Sequence, residues 1–270
     1  MTPPAQLEEA AMAAARRAGA VLRRRFRPRE RIQVETKGMH DFVTEVDREA
    51  EAAVVAYVRA NFPGHTILAE EGSPAQQAGG MRWVVDPLDG TTNFIHGVPT
   101  FAVSVAVEDA SGVLAGAVFD PVHEEMFHAH RGGGARLNGD TIACTRPASL
   151  EDALIATGFP FRELSRLPGY LTVFERFVRS TAGLRRAGSA SLDLVYTACG
   201  RYDGFFEVGL SRWDIAAGTL LVQEAGGIVT DIVGGTNYLE AGDLVAAGPT
   251  LQAAMVAITS DSLRPAARRP

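Results

Sequence analysis

Cysteine is scarce: Cys144 and Cys199 are the only two in 270 residues. That is too few for a disulfide framework, and both are expected to stay reduced in a cytoplasmic protein. Long apolar runs are also missing. None approaches the roughly 20 residues needed to cross a bilayer, so no membrane span is expected. The opening Met1-Thr2-Pro3-Pro4-Ala5 lacks a basic segment followed by an apolar one, and no signal peptide is expected there. Positive charge is in deficit, with 26 Lys and Arg against 32 Asp and Glu. A nucleic-acid partner, which calls for a basic footprint, is therefore not expected. An anionic substrate would have to be held by metals and local dipoles, not by overall attraction. No internal repeat or low-complexity linker breaks the chain. What remains, 46% hydrophobic and 21% charged, is ordinary for a globular protein with one or two domains.

The richest stretch is Trp83-Val84-Val85-Asp86-Pro87-Leu88-Asp89-Gly90-Thr91-Thr92-Asn93-Phe94. Trp83 to Val85 reads as a buried strand, ending in two carboxylates three residues apart. Gly90 to Asn93 then reads as a turn and a helix start. Acids at a strand end offer hard oxygen ligands for Mg²⁺, and the free amides of a first helical turn suit a phosphate. Earlier, Leu7 to Phe26 has the period of a helix stopped by Pro28, with a solvated arginine face. Ile32 to Thr36 reads as a strand and Lys37 to Asp41 as a loop. Thr44 is an N-cap for a helix to about Phe62, where Glu45 and Asp47 suit the dipole. Thr66 to Ala69 is a strand that ends at Glu70-Glu71-Gly72-Ser73, and one of the two neighbouring acids is expected to face the same place as Asp86.

After the central stretch, strands over Phe101–Glu108, Val113–Phe119 and Glu125–His130 form a meander, with Asn138-Gly139 as a hairpin signal. His123, His128 and His130 read as hairpin surface residues. From Ala148 strands alternate with helices, which indicates a layered α/β half. A helix over Tyr170–Ser180 is expected to turn Leu171, Phe174, Phe177 and Val178 inward. A second acidic motif, Trp213-Asp214-Ile215-Ala216-Ala217-Gly218, puts Asp214 at a helix start with small residues behind it. If that helix approaches the Asp86 strand, Glu70, Asp86, Asp89 and Asp214 form one site. Bare like charges that close cost several kcal/mol, a cost that divalent cations relieve. Carboxylates without His or Cys favour Mg²⁺ or Mn²⁺ over zinc. A Ca²⁺ loop, which sets acids at alternate positions of one segment, fits poorly.

With both motifs placed, the chain resembles the inositol monophosphatase family of Mg²⁺-dependent, Li⁺-sensitive phosphatases, bacterial type. The resemblance runs from about Leu7 to Ile258, with further support from Asp41-Phe42-Val43-Thr44-Glu45-Val46-Asp47, Gly188-Ser189-Ala190, Phe206-Glu207 and Glu224-Ala225-Gly226-Gly227. It implies an alternating α-β-α-β-α sandwich of the sugar-phosphatase type, with two lobes sharing one cleft. The lobes would be residues 1–147, with the antiparallel sheet and the metal motif, and residues 148–270, the α/β part that contributes Asp214. It implies two or three Mg²⁺: Glu70, Asp86 and the Leu88 carbonyl for the first, Asp86, Asp89 and Asp214 for the second, and Glu70 with waters for a third.

Thr91, paired with Asp47, would activate the attacking water together with Glu70. The Gly90 and Thr91 amides would bind phosphate. Asp89, Gly188, Ser189, Ala190, Glu207 and Asp214 would face the substrate, a small phosphorylated polyol. Inositol monophosphate leads over fructose 1,6-bisphosphate, histidinol phosphate and 3′-phosphoadenosine 5′-phosphate. A homodimer is implied, and an added partner-binding role is the reading of a different class.

Overall fold

Small or apolar residues at Leu7, Ala11, Ala14, Ala18, Val21 and Leu22 make one stripe of a 3.6-residue period. They form helix α1 (Pro4–Arg25), and the whole stripe is buried. The computed structural model describes residues 2–26, 34–38, 41–72, 80–161 and 163–263. The Pro28 stop, Ile32, Met39, His40, Ser73 and the tail from Arg264 therefore lie outside the described residues. Strands β1 (Val34–Gly38) and β2 (Asp41–Thr44) pair antiparallel, so the loop predicted over 37–41 is narrower than its sequence suggests. Helix α2 (Glu45–Asn61) follows, closed at its start by a capping box of Thr44 and Asp47.

Seven strands then build one sheet: β3 (Thr66–Ala69), β4 (Arg82–Asp89), β5 (Ala102–Asp109), β6 (Gly112–Asp120), β7 (Glu125–His130), β8 (Ala135–Leu137) and β9 (Asp140–Thr141), side by side in that order. Only the β3–β4 pair is parallel among them. The short helix α3 (Thr91–His96) leaves β4. The second sheet comprises β10 (Leu154–Thr157), β11 (Gly183–Arg185), β12 (Gly204–Glu207), β13 (Ile228–Thr230) and β14 (Leu244–Ala247), in the order β11-β10-β12-β14-β13. Between its strands run α4 (Leu167–Ser180), α5 (Ala190–Ala198), α6 (Arg212–Glu224) and α7 (Tyr238–Ala241), and α8 (Gln252–Ser260) is the last element among the described residues.

Each sheet is apolar on both faces, so each must be covered twice. Trp83 and Val85 of β4 join Leu7, Ala14 and Val54 under α1 and α2. Val84, on the opposite face, joins Leu194, Ala217 and Phe205 in a core around α5 and α6, between the sheets. Ile155, Phe206, Tyr170, Phe177 and Met255 make the third core, under α4 and α8. The result is the predicted α-β-α-β-α sandwich. Glycine permits one close approach in it: a Cβ on Gly116 of β6 would lie 3.0 Å from the Ala217 Cα of α6. Among the described residues, no helix is long and apolar enough to cross a membrane.

Two local expectations are corrected. Helix α4 buries Tyr170, Val173 and Phe177, while Leu171 and Val178 are 50% and 55% exposed. Aromatic stacking decides the face: Phe177 and Tyr170 lie 4.5 and 6.0 Å from Phe206 between ring centroids. His128 is no surface residue. It is buried, and its Nδ1 lies 2.6 Å from Oε1 of Glu8, while His130 meets the other oxygen of the same carboxylate.

Candidate active site

In a regular strand, residues three apart face opposite sides. Asp86 and Asp89 escape that rule. Asp86 pairs with Ser104 and Asp89 with Ala102, so three steps on β4 answer two on β5. The extra residue is a bulge, where Pro87 removes a ladder donor. Leu88 consequently turns into the core under α1 and α2, and Asp89 joins Asp86 on the inner face. The strand carries both acids at its carboxyl end, Asp89 being its last residue.

Four carboxylates, Glu70, Asp86, Asp89 and Asp214, line one cavity of about 510 Å³. Glu70 is delivered by the end of β3. Glu70 lines the cavity, and the next amide, Glu71 N, donates to Oε2 of Glu51 at 2.7 Å. Asp214 is delivered by α6, whose start is fixed three ways. Ser211 N donates to Oδ2 of Asp214 at 2.7 Å, Ser104 Oγ donates to the Trp213 carbonyl at 3.2 Å, and Arg212 forks onto the buried Glu108 at 3.0 to 3.1 Å. Asp89 Oδ2 accepts from Ser189 Oγ and the Ser191 amide, both at 2.7 Å. Asp86 Oδ1 accepts from Leu88 N at 2.9 Å.

These acids repel one another. Burial first, then the charges of Glu70, Asp89 and Asp214, hold the Asp86 carboxyl well above the usual carboxylate range. Burial also raises Asp89, against the hydrogen bonds from Ser191, Ser189 and the Ala190 amide. The acids line a common space without converging on a point: among the described residues, no three His, Cys, Asp or Glu side chains gather closely enough to hold an ion as they stand. The donor set is nevertheless carboxylate and carbonyl oxygen, with no histidine or cysteine among the described residues of the lining. That chemistry fits a hard divalent cation.

Thr91 follows Gly90, whose φ of 96° and a virtual Cβ 2.9 Å from the Thr100 carbonyl admit only glycine. The Thr91 hydroxyl lies 3.1 Å from Oδ1 of Asp47 and 3.0 Å from the Leu88 carbonyl. It has one proton for two acceptors. Asp47 is fully buried, and burial raises its pKa despite hydrogen bonds from Thr44 and Thr91.

Gly90, Thr91, Gly188, Ser189, Ala190 and Glu207 all reach the same cavity. Gly158, missed in the sequence, makes room for Glu207: a Cβ there would fall 2.0 Å from Oε1 of that residue. Ser191 was missed as a partner of Asp89, and so was Asn93. Asn93 Nδ2 donates to the Thr100 carbonyl at 2.7 Å and the Ala187 carbonyl at 2.9 Å, tying the Gly90 turn to the Gly188 segment. Asn93 stands inside the motif, the one signal that could have found it. Arg186, Phe159, Phe161 and Asp193 complete this side of the cavity, with the Arg186 guanidinium 5.5 and 5.2 Å from the two ring centroids.

The geometry has counterparts. The Nus factor SuhB of Pseudomonas aeruginosa is 48% identical over 264 residues, covering 96% of this chain and 97% of its own. The solved structure of extragenic suppressor protein suhB from Bartonella henselae superposes with a TM-score of 0.90 at 37% identity, covering 96% of this chain and all of its own. Inositol monophosphatase from Anabaena superposes with a TM-score of 0.85 at 33% identity, covering 96% of both chains. The model of the inositol monophosphatase family matches residues 4–264, and the chain belongs to that family.

Proposed function

We propose that the chain is a Mg²⁺-dependent phosphomonoesterase that hydrolyses myo-inositol monophosphates to inositol and phosphate. The observation that carries this reading is the meeting of Glu70, Asp86, Asp89 and Asp214, from β3, β4 and α6, on one cavity beside the Thr91–Asp47 pair. Glu70, Asp86 and the Leu88 carbonyl would hold one cation. Asp86, Asp89 and Asp214 would hold a second, a third would lean on Glu70, and Mn²⁺ could substitute. When bound, the cations would neutralise phosphoryl charge and lower the pKa of water.

The chain's own residues do the rest. Thr91 orients the attacking water through its free lone pair, while Asp47 or the Leu88 carbonyl accepts the hydrogen bond that its hydroxyl donates. The Gly90 and Thr91 amides, which have no acceptor within the helix, take the phosphate oxygens. Glu207, Asp214 and the Gly188–Ala190 segment face the alcohol. Residues 1–147 and 148–270 are assigned as two lobes, because the first sheet ends at Thr141 and the second begins at Leu154. A cytoplasmic homodimer fits the reading.

Phosphate release with Mg²⁺, with and without Li⁺, tests it on inositol 1-phosphate, fructose 1,6-bisphosphate, histidinol phosphate and 3′-phosphoadenosine 5′-phosphate. The expected result is the highest kcat/KM on inositol 1-phosphate, with Li⁺ inhibition. A far higher value on any other of the four overturns the substrate, and no Mg²⁺-dependent release from any overturns the activity.

The name of the Pseudomonas relative, Nus factor, supports a second reading, a partner-binding role beside catalysis. A catalytically dead Asp214→Asn variant should then still pull down a stoichiometric partner. Recovery of the variant alone speaks against that role.

A further inference from the structure

Asp193 of α5 is 1% exposed, and its Oδ1 has no hydrogen-bond partner among the described residues. It lines the cavity. Buried polar groups are almost always hydrogen-bonded, and one left open costs stability. Two other buried acids near helix starts show how that cost is removed. Asp47 and Asp214, each at the third position of its helix, accept from the N-cap amides of Thr44 at 2.9 Å and Ser211 at 2.7 Å. Asp193 is the fourth residue of α5, one place too late for that bond.

Its surroundings define what would complete it. Glu207, seated in the space left by Gly158, and Asp89 push negative charge toward it, while Arg186 draws the other way. Burial, ahead of those charges, holds the Asp193 carboxyl well above the usual carboxylate range. Such a carboxyl offers one donor and one acceptor when protonated and acceptors alone when ionised. A neutral hydroxyl on the substrate matches both.

We propose that Asp193 is a substrate-binding residue that hydrogen-bonds a hydroxyl of the alcohol part of the substrate, and so favours a hydroxyl-rich leaving group over an aromatic one. The inference rests on the phosphomonoesterase reading above. The test is the ratio of kcat/KM for inositol 1-phosphate to that for p-nitrophenyl phosphate, with Mg²⁺, in the full chain. In Asp193→Leu and Asp193→Ala, which both remove the hydrogen bond, the ratio should fall about tenfold. In Asp193→Asn, which keeps a donor and an acceptor, it should stay closer to wild type.

Urea unfolding shows which variants are folded, and either of the first two suffices. A ratio unchanged in a folded Leu or Ala variant overturns the inference, as does a parallel fall on both substrates, the mark of a merely structural role. Wild-type protein that does not favour inositol 1-phosphate at all sinks the polyol reading and the inference with it. That failure is seen before any variant is measured, so the two are told apart.

Discussion

Glu8 and Asp86 are both buried carboxylates, and the fold treats them in opposite ways. Glu8, on α1, meets His128 and His130 of β7. Burial pushes its pKa up, but the hydrogen bonds and charges of the two histidines outweigh burial and hold it below the ordinary 4.5. Asp86 is surrounded by acids, and its pKa is driven the other way. Where the protein answers a buried acid with its own histidines, the acid ties two elements together. Where it collects further acids instead, the balancing charge has to come from outside, and that is the physical meaning of a cation site.

The sharpest way to break this comparison is Asp86→Asn. Mg²⁺-dependent turnover should fall about a thousandfold or more. In chelator, the same variant should unfold at a higher urea concentration than wild type, because a buried charge without a counter-charge is removed. A turnover near wild type would defeat the site assignment. Next in size are Thr91→Ala and Asp47→Asn, each expected to lower kcat about a hundredfold while KM changes little, measured at saturating Mg²⁺.

Glu8→Gln should do the reverse of Asp86→Asn, costing about 1–3 kcal/mol of stability with kcat/KM retained. Its pH dependence follows from the lowered pKa: the Glu8 contribution is present above pH 4.5 and lost as the pH falls through the lower folded-state value. The gap between the wild-type and Glu8→Gln urea midpoints should therefore close in acid. A gap independent of pH would mean that packing, not charge, ties α1 to β7. Smallest is Arg23→Ala, which removes an exposed pair with Glu124. It should shift stability by no more than about 0.5 kcal/mol, which separates buried pairing from surface pairing.

The parts of the site readable in the chain were those in which chemistry and spacing coincide within one segment: the acids and glycine of 86–90, and the small residues behind Asp214. The layered second half followed from strands that alternate with helices, and the full sandwich from the family resemblance. Contacts between distant segments were not readable. Glu8 and His128 are 120 residues apart, and nothing local marks either as the other's partner. Helix α4 offered apolar residues on two faces, so periodicity alone could not choose the side that Phe206 selects. Asp193 sat inside a helix pattern where an acid near the N-terminus looks like an ordinary cap, and only its missing partner distinguishes it. Pro87 stands in the bulge, but nothing local shows that the irregularity unites two acids.

That irregularity joins two features of the motif at one point. With three steps on β4 set against two on β5, the extra residue lets Leu88 turn into the core under α1 and α2 while Asp86 and Asp89 share the opposite face. Single substitutions between the two acids leave this count intact. Deleting one residue between them would set two steps against two, a regular ladder that still keeps both acids on one face, but it would leave no residue out of step to reach the helices. The bulge is therefore an anchor: it fastens the acidic end of the strand to the layer behind the sheet at the place where it presents the acids to the cavity.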